Sequence, residues 1–176
     1  MTKQGHITLV TGGARSGKSD LAERLTARHG LPRIYIATTE ARDGEMADRI
    51  ALHRRARGDG WATVEEPLAL ADALRRTDGQ GARLVDCLTL WLSNCMGDAD
   101  IEGLTSTLRR MQSPVVLVTN ELGQGIVPDN ALARDFRDRH GWMNQAVARI
   151  ADEVWMSVSG MPLRLKPVKD DPDESL

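Results

Sequence analysis

Residues 12–19 read GGARSGKS, and this octapeptide constrains the fold more than any other part of the chain. Gly12, Gly17, Lys18 and Ser19 meet the spacing G-x-x-x-x-G-K-S. Glycines let successive backbone N–H groups curl inward without a Cβ clash, which suits a ligand as rich in acceptor oxygens as a phosphate. The apolar ITLV run before the loop predicts a buried strand, and SGKSDLAERLTARHG behind it predicts an amphipathic helix stopped at Gly30. The helix N-terminus adds its positive end to the cradle. Strand, glycine loop and helix in this order make a phosphate loop (P-loop), and against them the alternative of a glycine-rich turn with an idle lysine is weak. The expected nucleotide contacts are therefore Gly12, Gly13, Ala14, Arg15, Ser16, Gly17, Lys18 and Ser19. Lys18 is expected to reach the terminal phosphates and act in catalysis, and the Ser19 hydroxyl to complete the coordination of Mg²⁺.

The rest of the chain alternates. RIYIATT, WATVEEP, RLVDCLTLWL and PVVLVTNE predict strands, the third of them losing strand character after Thr89. EMADRIALHRRAR, LALADALRRT and DIEGLTSTLRRMQ predict helices, and DNALARDFRDRHGWMNQAVARIADEV one or two more. VWMSVSGMPLRLK predicts a terminal hairpin around Ser159-Gly160. The expected fold is α/β: a P-loop NTPase-like three-layer sandwich with a mostly parallel sheet and a C-terminal hairpin. With 176 residues there is room for one core, expected over residues 1–168 as a single nucleotide-binding catalytic domain. Residues 169–176 are an acidic tail with nothing to bury, expected to be flexible.

Composition narrows the function. A formal net charge of -2 gives no reason to expect nucleic acid or an anionic membrane as partner. No apolar run approaches the roughly 20 residues of a membrane-spanning helix, and the N-terminus runs into a strand, not a signal peptide. Cys87 and Cys95 lack metal or redox spacing and are expected to be free, buried thiols of a cytoplasmic protein.

Two further constellations carry chemistry. A second carboxylate commonly holds the metal of a P-loop through water from the end of a neighbouring strand. Asp86, ending ARLVD, and Glu121, after VVLVTN, both qualify, and a helix-capping role for Asp86 stays open. His53 lies among Arg49, Arg54, Arg55 and Arg57, with Arg49 and Arg57 on its face of a helix. Arginine forks fit phosphate. Neutral imidazole attacks phosphorus readily, and positive neighbours keep it neutral. A solvated basic helix with an incidental histidine is the competing reading.

The blocks TGGARSGKS, YIAT, D-x-EM-x-x-RI-x-x-H, W-x-T-x-E-x-P, LVTNE-x-G-x-GIVP and ADEVW occur here in this order. Together they closely resemble the bifunctional adenosylcobinamide kinase/adenosylcobinamide-phosphate guanylyltransferase family, from Ile7 to about Lys166. The resemblance implies that His53 takes up GMP from GTP as a covalent intermediate. It implies nucleotide contacts at Ala37, Thr38 and Thr39, at Arg54, Arg55, Ala56 and Arg57, and at Glu65 and Asp86. Some members carry glutamate where this chain has the shorter Asp86, beside Ser19 the expected second metal ligand. Asp43 and Glu45 receive no role beyond shaping a helix start. The implied substrates are adenosylcobinamide and its phosphate with ATP and GTP, the implied cofactor Mg²⁺, and the implied assembly a homotrimer.

Less specific features are read as structure. Trp61, Trp91, Trp142 and Trp155 are expected in core or interface packing. His6, His29 and His140 have no partner at ligand spacing and are expected to be structural or exposed. Asn120 and Glu121 end a strand at the edge where α/β sheets bind ligands, so a role in the site wall is expected. Arg134, Arg137 and Arg139 fit either phosphate binding or a solvated helix. Three competing functions are a kinase without guanylyl transfer, a P-loop regulatory switch and a nucleic-acid motor. The arginine-flanked His53 opposes the first, the lack of a clear switch pattern the second, and the short, non-basic chain the third.

Overall fold

A computed structural model describes residues 5–39, 58 and 60–167. The helix expected over EMADRIALHRRAR and the acidic tail lie outside the described residues, as do Asp43, Glu45, Arg49, His53, Arg54, Arg55, Ala56 and Arg57. Among the described residues are the strands β1 (Ile7–Gly12), β2 (Arg33–Ala37), β3 (Trp61–Glu65), β4 (Ala82–Asp86), β5 (Val115–Val118), β6 (Glu153–Val158) and β7 (Met161–Lys166). The helices are α1 (Lys18–Ala27), α2 (Leu70–Arg76), α3 (Leu88–Asn94), α4 (Ile101–Arg110) and α5 (Ala131–Ile150).

The strands form one sheet in the order β3-β2-β4-β5-β1-β6-β7, parallel except for the β6–β7 pair. Successive side chains alternate between its two faces. Ile7, Leu9, Ile34, Ile36, Val85, Val115 and Leu117 pack with Leu70 and Leu74 of α2, Leu88 and Trp91 of α3, Leu104 and Leu108 of α4, and Met143 and Val147 of α5. Val10, Tyr35, Leu84, Val116 and Val118 pack against Leu21 and Leu25 of α1. Burial on both faces explains why the central strands read as unbroken apolar runs. The result is the expected P-loop-like three-layer sandwich.

Helix ends follow their caps. Asp100 accepts the Gly103 N–H at 2.8 Å to start α4, and Asn130 accepts the Ala133 N–H at 2.8 Å to start α5. The long C-terminal periodicity resolves into one helix of 20 residues. The hairpin turns at Ser159 and Gly160, with φ of 52° and 81°, the two left-handed residues that a two-residue turn requires. Two boundaries differ from expectation: α5 stops at Ile150, so that Glu153 and Val154, expected within its periodicity, open β6, and the segment after β4 turns helical early. RLVDCLTLWL leaves the strand at Asp86, and Leu88–Asn94 is helical, so strand character ends before Thr89. Leu88, Trp91 and Leu92 share the buried helix face, and a run this rich in leucine satisfies either period.

Candidate nucleotide site

The register of the sheet draws the expected site residues into one row at the C-terminal ends of the strands. Ala37 of β2 pairs with Glu65 of β3 on one side and with Asp86 of β4 on the other. Asp86 pairs with Val118 of β5, and Val118 with Val10 of β1, two residues before Gly12. Glu65, Ala37, Asp86 and the phosphate loop therefore share one edge, the ligand-binding edge of an open parallel sheet.

The loop has the shape its glycines allow. Gly12 has φ 155°, and a Cβ there would stand 2.6 Å from the Ser157 carbonyl oxygen and 2.6 Å from Ser16 Oγ. Arg15 (φ 56°) and Gly17 (φ 89°) take left-handed backbone around Ser16, the alternation that turns consecutive N–H groups toward one concavity. Ala14 and Arg15 are exposed, Ser16 is buried, and Gly13, Lys18 and Ser19 are half-buried. The Lys18 ammonium donates to the Gly13 carbonyl at 3.1 Å. Underneath, Ser157 Oγ and the Gly160 N–H both donate to the Ser16 carbonyl, at 2.6 Å and 2.9 Å, so the C-terminal hairpin forms the floor of the loop.

Beside the loop, the Tyr35 hydroxyl donates to Asp86 Oδ2 at 3.1 Å and fixes that carboxylate. Thr38 is fully buried, and its Oγ1 donates to the Cys87 carbonyl at 2.8 Å and accepts the Cys87 N–H at 2.8 Å. This clasps the end of β2 to the end of β4. Thr39 follows half-buried, and Glu65 is exposed at the edge. Burial, aided by Asp86, pushes the Cys87 thiol up to about 11, so Cys87 is an inert core thiol. On the other side, Thr11 Oγ1 donates to Glu121 Oε1, and the Glu121 N–H donates to the Gly12 carbonyl at 3.2 Å. Glu121 thus stands beside the loop while Asp86 stands one strand further out.

Among the described residues, no group of three or more His, Cys, Asp and Glu side chains is arranged to hold a metal ion. A cation that takes one or two protein oxygens and completes its shell with phosphate and water fits such a site, and that is how Mg²⁺ binds. Ser19 in the first turn of α1 and Asp86 at the end of β4 are the residues that would offer it oxygens.

Other expectations divide. Arg134 donates to the carbonyls of Pro128 and Asp129 and Arg137 pairs with Asp138, while Arg139 pairs with Asp135 and donates to the Gly97 carbonyl at 2.7 Å, tying α5 to the segment between α3 and α4. Trp91 is in the core, whereas Trp142 is 64% exposed on α5. His140 is structural, as expected, yet it has partners: its Nε2 lies 2.9 Å from Thr89 Oγ1 and 3.2 Å from Thr119 Oγ1. Sequence reading also missed Thr11, Tyr35, Ser157 and Gly160. A cavity of about 520 Å³ lined by His6, Arg28, His29, Asp152 and Glu153 opens at the opposite edge, beside the residues that enter β1 and β6.

The profile of a family described as cobinamide kinase / cobinamide phosphate guanyltransferase matches residues 8–165. The chain belongs to this family. It is therefore an enzyme, a bifunctional transferase. It is 48% identical over 167 residues to the bifunctional adenosylcobalamin biosynthesis protein CobP of Pseudomonas aeruginosa, covering 90% of this chain and 96% of that one. To CobU of Escherichia coli, described in the same words, it is 40% identical over 181 residues, covering 91% and 99%. Among solved structures, the flagellar accessory protein FlaH of Methanocaldococcus jannaschii superposes with a TM-score of 0.57 at 11% identity, over 93% of this chain and 79% of that one. An ATPase of a type III secretion system superposes with 0.54 at 15% identity, over 87% and 51%. At such identities the likeness concerns the fold alone. No helix among the described residues is long and apolar enough to cross a membrane.

Proposed function

We propose that this chain phosphorylates adenosylcobinamide and then transfers GMP from GTP to the product, giving adenosylcobinamide-GDP. The observation that carries the reading is the shared row of Glu65, Ala37 and Asp86 beside the glycine cradle of residues 12–19. Family membership supplies the two substrates.

In the first reaction the terminal phosphoryl group of ATP or GTP passes to the aminopropanol hydroxyl, and the nucleoside diphosphate leaves. The work is positioning and charge neutralisation. The loop N–H groups and the Lys18 ammonium hold the β- and γ-phosphates, and Ser19 and Asp86 hold Mg²⁺, which neutralises phosphate charge when bound. In the second reaction a nitrogen of His53 attacks the α-phosphorus of GTP, and pyrophosphate leaves. A phosphate oxygen of adenosylcobinamide phosphate then attacks the histidine-bound phosphorus, and the imidazole departs with GMP transferred. Arg54, Arg55 and Arg57, with Ala56 between them, flank this step, and Ala37, Thr38, Thr39 and Glu65 line the nucleotide. The reading includes one catalytic domain over residues 1–168, a homotrimeric assembly and a cytoplasmic location.

The test is intact mass spectrometry after incubation with GTP and Mg²⁺ but no corrinoid. The chain gains one GMP, pyrophosphate is released, and the adduct is lost in acid but survives base, because protonating the imidazole makes it a leaving group. Peptide mapping in alkali places the adduct on His53, and adenosylcobinamide phosphate discharges it. An acid-stable adduct, or one on Ser19, overturns the histidine route.

A further inference from the structure

His140 lies in the middle of α5 and is 1% exposed. Its surroundings assign its proton. The Asn120 carbonyl can only accept, so the Asn144 amide presents Nδ2 to it, at 3.0 Å, and turns Oδ1 toward Thr119. Thr119 Oγ1 therefore donates to Asn144 Oδ1, at 2.7 Å. With that hydroxyl proton used, the 3.2 Å contact between Thr119 Oγ1 and His140 Nε2 requires the imidazole to donate. Nε2 carries the hydrogen and also faces Thr89 Oγ1 at 2.9 Å, while that same oxygen accepts the Asn120 N–H at 3.0 Å. Burial lowers the pKa of His140 to about 4, consistent with a neutral ring.

The consequence is a residue bracketed on both sides of its backbone. Asn120 lies beyond the end of β5, where ladder hydrogen bonds stop, yet its N–H is tied to Thr89 of α3 and its C=O to Asn144 of α5. Thr119 donates its own N–H to the Val10 carbonyl at 2.9 Å, and Glu121 donates to the Gly12 carbonyl. Because β5 lies between β1 and β4, the segment 119–121 sits between the phosphate loop and Asp86.

We propose that His140 is a positioning residue for phosphoryl transfer, holding Asn120 and Glu121 in register with the phosphate loop through Thr89 and Thr119. This rests on the reading that phosphoryl transfer takes place at that loop. A shift of the segment by a fraction of an ångström displaces groups beside the transferred phosphoryl, and rate is more sensitive to that than nucleotide affinity is.

Steady-state phosphorylation of adenosylcobinamide tests it, assayed well below each variant's melting temperature. His140→Leu should lower kcat about tenfold or more with the nucleotide KM held within about threefold. His140→Gln, whose amide can still donate, should recover most of the rate. Thr119→Val should match His140→Leu, and the double variant should be no worse than either single one, as members of one network behave. Met143→Ala, a cavity in the same helix without a bond to Asn120, should lose stability but keep kcat. If His140→Leu does not fold, the nearly isosteric Thr119→Val carries the comparison. Wild-type kcat in His140→Leu or Thr119→Val overturns the proposal, and so does an equal loss of kcat in Met143→Ala. A wild-type chain that transfers no phosphoryl group overturns the functional reading and this one with it.

Discussion

Replacing Asp78 with alanine tests how β4, the strand that delivers Asp86, is anchored at its other end. Arg83 of β4 is fully buried, and its guanidinium donates to the Leu74 and Ser113 carbonyls and pairs with Asp78 Oδ1 at 3.2 Å. Asp78 also accepts the Ser113 N–H at 2.9 Å and the Gln112 N–H at 3.1 Å. Removing one partner of a buried pair costs about 3–5 kcal/mol. Asp78 is 20% exposed and water can partly take its place, so the expected loss is near the lower end, about 3 kcal/mol. For a chain of this size that is a fall in Tm of about 6–12 °C. Asp78→Asn keeps an acceptor for Ser113 while losing the charge, and should fall by about half as much. Burial alone would raise the Asp78 pKa, but the N–H groups of Ser113 and Gln112, with Arg83 behind them, outweigh it and hold the carboxyl below its ordinary range. A depressed folded pKa contributes stability above the unfolded value of about 3.9 and loses it as pH falls through the folded value. Urea unfolding of wild type and Asp78→Ala should thus show a gap that is widest at neutral pH and shrinks below about pH 4. A gap under about 1 kcal/mol at pH 7, or one that does not change with pH, refutes the reasoning.

Two predictions concern the cradle. Lys18→Ala should fold with an almost unchanged Tm, since among the described residues its ammonium hydrogen-bonds to the Gly13 carbonyl alone, but should lose both phosphoryl transfer and GMP uptake; full activity in the folded variant removes the phosphate-loop assignment. Gly12→Ala drives a Cβ to 2.6 Å from a backbone oxygen of β6, so nucleotide affinity by calorimetry should fall at least about tenfold and stability by about 1–3 kcal/mol.

The phosphate loop and the apolar strands were legible in sequence because each carries a local signal: glycine spacing in one case, unbroken β-branched runs in the other. The α3 boundary was not, because Leu88, Leu90, Trp91 and Leu92 satisfy a strand and a buried helix alike until the tertiary contacts decide. Glu65 and Asp86 could each be proposed alone, but that both flank Ala37 is a fact of register, which follows only from the strand order. His140 defeated sequence reasoning for a related reason. Its partners Thr89 and Thr119 come from separate elements 51 and 21 residues away, and no spacing rule links them.

The hairpin beneath the phosphate loop has a consequence for synthesis. The ribosome delivers the loop well before the turn at Ser159-Gly160, yet Ser157 and Gly160 hold the Ser16 carbonyl from below. β1 likewise finds its neighbours only in β5 and β6, at Val115 and Glu153. A nascent chain that has emerged through α5 carries the whole GGARSGKS segment without the floor that shapes it. The floor of the loop is therefore completed only once the hairpin has cleared the exit tunnel.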